Sequence, residues 1–457
     1  MFFTQSGPED PVPGTTGRYL VLLKEPQEAI DAGIGSLSAT AGIDVHHATD
    51  VGAAAVEIDQ LSAAQGLVFD ELGVAVVDVP PDQTRALGVA MDEEDAILTV
   101  EPERVVYALQ EDRMPVGTRP PTPVPVSGAG RSSNLAPGYL RGYQDAVNNL
   151  VDNMLGTGGS PSAVAEQVAA AAFDESSVTW GLQATNAATS RYSGHEIKVA
   201  VLDTGFDEHH PDFTARSVTP LSFIPGEAVQ DGHGHGTHCI GTSCGSEKPG
   251  QLPRYGVAYG ADIFAGKVLS NRGSGADGGI LDGIRWAISN KCHIVSMSLG
   301  APTTIGQKHS RVFEAVARRA LAQGTLIIAA AGNESQRPEI IAPVGHPANC
   351  PSIMAVGALD ERLAVANFSC GGSDPQGGQV DIAGPGVDIY SSWPLPTANR
   401  RISGTSMATP HVAGIAALYA EADSGSRARA LWSLLNQGAR RLPLPSRDVG
   451  AGLVQAP

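Results

Sequence analysis

Five short runs of nearly continuous apolar residues dominate the second half of the chain: KVAVLD (198–203), DIFAGKVL (262–269), HIVSMSLG (293–300), TLIIAAAG (325–332) and SIMAVGAL (352–359). A strand with one wet face alternates apolar and polar residues, whereas a strand covered on both faces reads as these runs do. Stretches of helical pattern lie among them or follow, at 278–290, 307–323 and 409–422. Strand and helix in alternation predict an α/β fold with a doubly wound, mainly parallel sheet, running from about residue 174 to 457. Functional crevices in such sheets lie outside the C-terminal strand ends, and Asp203, Ser298 and Asn333 all fall at or just past such ends.

The first half carries a different pattern. RYLVLL (18–23), a helical stretch (27–43), AAAVEI (53–58), GVAVVDV (73–79), a second helical stretch (82–94) and AILTVEPERVVYAL (96–109) follow one another as βαββαβ. That order is the split-βαβ, ferredoxin-like sandwich of a small domain, expected over 18–110 after a flexible stretch at 1–17. Proline and glycine then break the pattern in MPVGTRPPTPVPVSGAG (114–130), as an extended linker does. Within this linker region (111–173), Leu140, Tyr143, Val147, Leu150 and Met154 recur every three to four residues and predict a short docking helix over 138–155.

Charge narrows the partners. With 30 Lys and Arg against 48 Asp and Glu, the chain carries a net −18, the wrong sign for neutralising phosphates, so no nucleic acid is expected. No stretch is long and apolar enough to predict a membrane span. The opening MFFTQSGPEDPVPGTTGRY lacks a basic start followed by a sustained apolar run, so it does not read as a secretory signal. A cytoplasmic location, export by a non-standard route, or secretion from a trimmed N-terminus all stay open. Five cysteines (Cys239, Cys244, Cys292, Cys350 and Cys370) allow at most two bridges and leave at least one thiol over.

The densest chemistry is DGHGHGTHCIGT (231–242), which sets His233, His235 and His238 among glycines. Imidazoles so spaced suit a zinc site. A second reading draws on two other stretches: an apolar run that ends abruptly in Asp203-Thr204-Gly205, and SGTSMATPHVAG (403–414), where Ser406 opens a helical pattern. A serine hydroxyl becomes a useful nucleophile when an imidazole takes its proton and a carboxylate holds the imidazole. Asp203, His235 and Ser406 supply those three groups. A bland reading of Ser406 is an N-cap.

LDTGFDEHHPDF (202–213), HGHGTHCIGT (233–242), SMSLG (296–300), AAAGNES (329–335) and GTSMATPHVAG (404–414) resemble the successive motifs of the subtilases, the subtilisin-like serine proteases. Cys239 directly after His-Gly-Thr-His is similar to the proteinase K-like branch. The resemblance implies an Asp203, His235, Ser406 triad, and an oxyanion hole made by the Asn333 side chain and the Ser406 N–H. It further implies that polypeptide substrates run between Ser274-Gly275 and Ser298-Leu299-Gly300, with broad specificity for an apolar or aromatic residue before the cut. Ala301 stands where many relatives have a second glycine.

No cofactor is implied for the chemistry. A structural calcium is, at Pro351, Ile353 and Asp381, because CPSI (350–353) and QVDIAGPG (379–386) resemble that branch's site. Domain 18–110 resembles an inhibitory propeptide, which implies a zymogen whose first cut falls between Leu109 and Gln110. The expected state is a monomer. A catalytically silent binding module is the competing reading.

Overall fold

The sheet of the N-terminal module is built from β1 (Thr15–Leu23), β2 (Val45–His47), β3 (Gly66–Phe69), β4 (Val74–Asp78) and β5 (Ile97–Ala108), with helix α1 (Gln27–Ala41) on one side. The computed structural model describes residues 14–48, 65–80, 83, 86–88, 96–109, 173–372 and 378–457. AAAVEI, most of the 82–94 stretch, the linker and the 138–155 helix lie outside them. Strand order is β5-β1-β4-β3-β2. β1 runs antiparallel to both β4 and β5, and β3 and β4 form a hairpin, which is the split-βαβ arrangement. The strand that pairs with β4 is GLVF at 66–69, a run too short and too uniformly apolar to show any period.

Both faces of this sheet are covered, which explains that uniformity. Leu20, Leu22, Leu67, Phe69, Val74 and Val76 share one core with Ile280, Ile284, Val312, Phe313 and Val316 from the second half of the chain. The alternate residues, Val21, Leu23, Val68, Ala75 and Val77, pack on Ile30 and Leu37 of α1. Side chains point to opposite faces with period two, so one strand serves two cores.

In the C-terminal module, β6 (Lys198–Asp203), β7 (Val218–Ser222), helix α2 (His235–Cys244), β8 (Asp262–Lys267), the short β9 (Ser274–Ala276), helix α3 (Asp277–Ser289), β10 (Ile294–Met297) and the two-residue β11 (Leu299–Gly300) come first. Helix α4 (Arg311–Ala322), β12 (Leu326–Ala330), β13 (Met354–Leu359), β14 (Ile382–Pro385), β15 (Ile389–Ser392), β16 (Asn399–Ile402) and helix α5 (Thr405–Ala422) follow. The main sheet has the order β14-β13-β12-β10-β6-β8-β7, with every pairing parallel. The order reverses at β6, so Asp203 ends at the topological switch point where crevices open. Helix α5 is apolar nearly all round because it is buried against β10, β12, β13 and β14 on one side and α2 on another.

The modules meet along β5. Val105, Val106 and Tyr107 pair with β9, and Tyr107 and Ala108 pair with β11, both antiparallel. Glu103, fully buried, anchors the approach: its Oε1 accepts from the Gly278 N–H at 2.9 Å and its Oε2 from Arg18 Nε at 2.7 Å and from the Thr16 hydroxyl. Gly278 lies in the first turn of α3, whose N–H groups have no partner within the helix. Removing one member of a buried charged network leaves the others unpaired. Glu103→Ala is therefore expected to lower the unfolding free energy by about 2–4 kcal/mol, and Glu103→Gln, which keeps an acceptor, by roughly half as much. Urea denaturation followed by tryptophan fluorescence checks both; an unchanged midpoint for Glu103→Ala would count against the anchor.

Candidate active site

Asp203 arrives as the last residue of β6 and His235 as the first of α2. His235 Nδ1 lies 2.7 Å from Asp203 Oδ1, which also accepts from the Thr204 N–H at 2.7 Å. Both side chains are buried. Because the carboxylate only accepts, Nδ1 carries the proton and Nε2 presents a lone pair. That Nε2 is buried and has no hydrogen-bond partner among the described residues. The close approach needs glycine: a Cβ on Gly236 would sit 2.3 Å from the Gly205 carbonyl oxygen.

Asp231, in the loop before α2, holds the two segments together. Its Oδ1 accepts from His233 N at 3.0 Å, Gly234 N at 2.8 Å and Thr204 Oγ1 at 3.0 Å, and its Oδ2 accepts from Thr237 N at 2.9 Å and Thr237 Oγ1 at 2.8 Å. The three N–H groups lie at or just before the start of α2, where backbone donors lack helical partners, and the carboxylate caps them together with the two hydroxyls.

Ser406 lies in the first turn of α5, where Pro410 follows four residues later. Proline has no N–H, so the Ser406 carbonyl is left without its helical partner. Ser298 takes that place: its Oγ donates to Ser406 O at 2.8 Å while Ser406 Oγ donates to Ser298 O at 3.0 Å. The serine hydroxyl is thus parked on Ser298 and the imidazole lone pair is open. Across the cleft, Asn333 Oδ1 accepts from Thr405 N at 2.9 Å and Thr405 Oγ1 at 2.8 Å, which aims the amide nitrogen the other way.

That nitrogen meets the chain's own strand end. Asn333 Nδ2 donates to the carbonyl oxygen of Leu109 at 2.9 Å. The Ala108 N–H donates to Gly273 O at 2.9 Å and the Leu109 N–H to Ser298 O at 3.4 Å. Ser274 and Gly275 lie in β9 on one side of β5, and Leu299 and Gly300 lie in β11 on the other. Leu109 is buried, and a Cβ on Gly300 would come within 3.3 Å of its Cδ1. The structure thus gathers Asp203 with His235, Ser406 with Ser298, and Asn333 with Leu109 around one cleft. Gln110 lies outside the described residues.

Comparison with known proteins bears on what this cleft is. Residues 194–452, more than half of the chain, match the subtilase family. The chain belongs to the subtilase family. It is 43% identical to Subtilisin E of Bacillus subtilis (strain 168) over 229 residues, which is 50% of this chain and 56% of that protein. To Subtilisin Savinase of Lederbergia lenta it is 40% identical over 246 residues, 53% of this chain and 84% of that protein. The alkaline protease of Alkalihalobacillus alcalophilus is 40% identical over 246 residues, 53% of this chain and 59% of that protein. The chain thus spans little more than half the length of several curated relatives it matches.

In this subtilase the three histidines of 231–242 do not converge. His238 Nε2 donates toward Ile389 O at 2.9 Å, and burial pushes the imidazole down to about 3, so it packs as a neutral core group. His233 and His235 stand edge to face, 6.2 Å apart. The one acidic, thiol or imidazole group of three with metal-like spacing among the described residues is Asp203, His235 and Cys239. Asp381, of the expected calcium set, is half-buried and its Oδ2 accepts from Ala355 N at 2.8 Å; Ile353 is buried and Pro351 exposed. Motif reading missed Asp231, Glu103, Asp277 and His346. Among these, only Asp277, an acid opening a helical pattern, carried a local signal.

All five thiols are free and buried. Burial pushes each of them up, Cys292 to about 12, because a thiolate there would be desolvated. Cys239 Sγ also lies 3.8 Å from His235 Nδ1. Iodoacetamide at pH 7–9 is expected to leave all five cysteines unmodified in the folded chain and to alkylate all five in urea. Intact-mass spectrometry reads the count; rapid alkylation of folded protein at pH 7 would contradict the burial.

Proposed function

We propose that this chain is a serine endopeptidase made as a zymogen, with Asp203, His235 and Ser406 as its triad. The observation that carries the reading is the Leu109 carbonyl, held by Asn333 Nδ2 at 2.9 Å at the end of a strand paired on both sides. A carbonyl so placed is a substrate carbonyl in a cleft that already holds an acid, an imidazole and a hydroxyl. That one relative carries the name alkaline protease agrees with this.

In this mechanism the Ser406 hydroxyl leaves Ser298 and attacks the carbonyl carbon as His235 Nε2 takes its proton. Asp203 keeps the proton on Nδ1 and stabilises the imidazolium. Negative charge on the former carbonyl oxygen is met by Asn333 Nδ2 and the Ser406 N–H, the latter at a helix start where the dipole favours an anion. His235 then protonates the leaving amine, and water repeats the sequence on the acyl-serine. An apolar residue at the cut fits the burial of Leu109, and no cofactor takes part in these steps. The N-terminal module acts as inhibitor by filling the cleft with β5, and the first cut falls between Leu109 and Gln110.

A fluorophosphonate probe tests the chemistry, because it phosphonylates an activated serine, with fluoride leaving as the serine oxygen bonds to phosphorus. It should label Ser406 in the processed protein and fail on Ser406→Ala, which should persist as one 47.1 kDa chain. Labelling elsewhere, or an active protein with its N-terminus still at Met1, would refute the zymogen reading, and a folded, unprocessed chain that never labels would favour the binding-module alternative.

A structural calcium belongs to the same proposal. Burial pushes the Asp381 carboxyl up from 3.8 to about 7, against the Ala355 N–H and the charge of Arg429, which both lower it. Oxygen donors around a desolvated carboxylate suit a hard cation, so Asp381 and the Pro351 and Ile353 carbonyls would hold it. Without calcium the stability that Asp381 contributes is full below its ordinary value of 3.8 and is lost as pH rises through about 7. Calcium binds the charged form and offsets that loss. The gain in Tm from calcium over chelator should therefore grow from pH 5 to pH 8 and vanish in Asp381→Asn. Equal gains at both pH values would rule the site out.

A further inference from the structure

The strand ending at Leu109 meets a cleft wall whose chemistry changes along its length. Ala108 and Val106 are buried in the apolar core, and Leu109 is buried beside Gly300. At Arg104, sixth residue back when Leu109 is counted first, the wall turns ionic. Register alone brings this about: Val105 lies opposite Ala276 of β9, so Arg104 falls beside Asp277, the first residue of α3.

The Arg104 N–H donates to Asp277 Oδ2 at 3.0 Å. The other oxygen, Oδ1, lies 2.9 Å from His346 Nε2, and both side chains are buried. With Nε2–H donating to the carboxylate, His346 Nδ1 turns a lone pair outward. The Arg104 guanidinium answers it: Nη1 lies 3.5 Å from His346 Nδ1 and 3.9 Å from Asp277 Oδ2. Edge-to-face packing of His346 on Phe313, 4.6 Å between centroids, fixes the imidazole plane. The only other carboxylate near Nη1 among the described residues is Glu101 at 4.0 Å, which belongs to the same strand as Arg104. A carboxylate and a lone pair set by the rigid body of the cleft therefore converge where a guanidinium lies.

We propose that Asp277 and His346 form a subsite for a basic side chain at the sixth position before the cut, so that the preferred substrates are extended peptides carrying Arg there. This rests on the peptidase reading above. The backbone contact to Asp277 is available to any residue, whereas the side-chain contacts select a cation. Arg104 stays partly exposed, so the selectivity is set between that of a surface ion pair and a charge-assisted hydrogen bond, about 3- to 10-fold in kcat/KM. It should appear mainly in KM, since the contact is remote from the reacting bond and equal in ground and transition states.

The test uses the full chain after self-activation and two chromogenic peptides ending in Val-Val-Tyr-Ala-Leu-p-nitroanilide, one preceded by Arg and one by norleucine. Cleavage of the Arg peptide with a kcat/KM about 3- to 10-fold higher is the expected result, shrinking toward unity in high salt. Asp277→Asn keeps an acceptor for the backbone N–H and should bring the ratio within about twofold. Moving Arg one residue further back, to the seventh position, should lose the advantage; if it does not, general attraction by the negative protein is responsible and the subsite falls. Equal hydrolysis of the first two peptides overturns the subsite and leaves the chemistry standing. No hydrolysis of either peptide overturns both.

Discussion

Strand β5 is claimed by two sheets at once. Its first part completes the N-terminal sheet beside β1, and its last four residues lie between β9 and β11. Each of those partners is only two or three residues long, too short to persist as an isolated edge, and β5 satisfies the backbone groups that would otherwise stay open on both. Once β5 is in place, Glu103 caps α3, the apolar face of the N-terminal sheet meets α3 and α4, and the Leu109 carbonyl reaches Asn333. The position of one carbonyl oxygen thus follows from sheet register many residues away.

Around the cleft, precision comes from polar groups whose partners are over-determined. Asn333 can turn only one way because Thr405 occupies its oxygen twice. Pro410 frees the Ser406 carbonyl, and Ser298 holds it. Lys267 is a fully buried lysine whose ammonium donates to the Thr204 carbonyl and to Asn271 Oδ1 at 2.9 Å and pairs with Glu227 at 3.3 Å. Asn271 Oδ1 also accepts from Gly232 N at 2.8 Å, so one cation ties together the loop after Asp203, the loop before His235 and the turn leading to β9. A buried charge tolerates little movement of its partners, which is what a site built on several loops requires.

The carboxylates proposed to hold calcium and a basic side chain share a physical theme with that lysine. Asp381 is a partly buried residue whose carboxyl is raised by desolvation despite the charge of Arg429, and Asp277 is a buried carboxyl that reaches a guanidinium through the strand it binds. Each lies at the edge of a rigid element, so its carboxyl oxygens are placed before any ligand arrives.

The parallel sheet, its helices and the order Asp203, His235, Asn333, Ser406 were readable from the chain alone, because burial on both faces erases alternation in short strands and because motif spacing is a local property. Helix 307–323 read one turn too long at its start because Ser310, the actual N-cap, sits within the predicted run. GLVF escaped notice for the same reason that the parallel strands stood out: a doubly buried run of four residues has no period to read. What only the tertiary structure decided is which atoms meet. Glu103 with Gly278, Asp277 with Arg104 and His346, and Asn333 with Leu109 are separated by 69 to 242 residues along the chain. No local propensity encodes such contacts; they exist because packing a two-faced sheet on α3 and α4 leaves β5 one place to end.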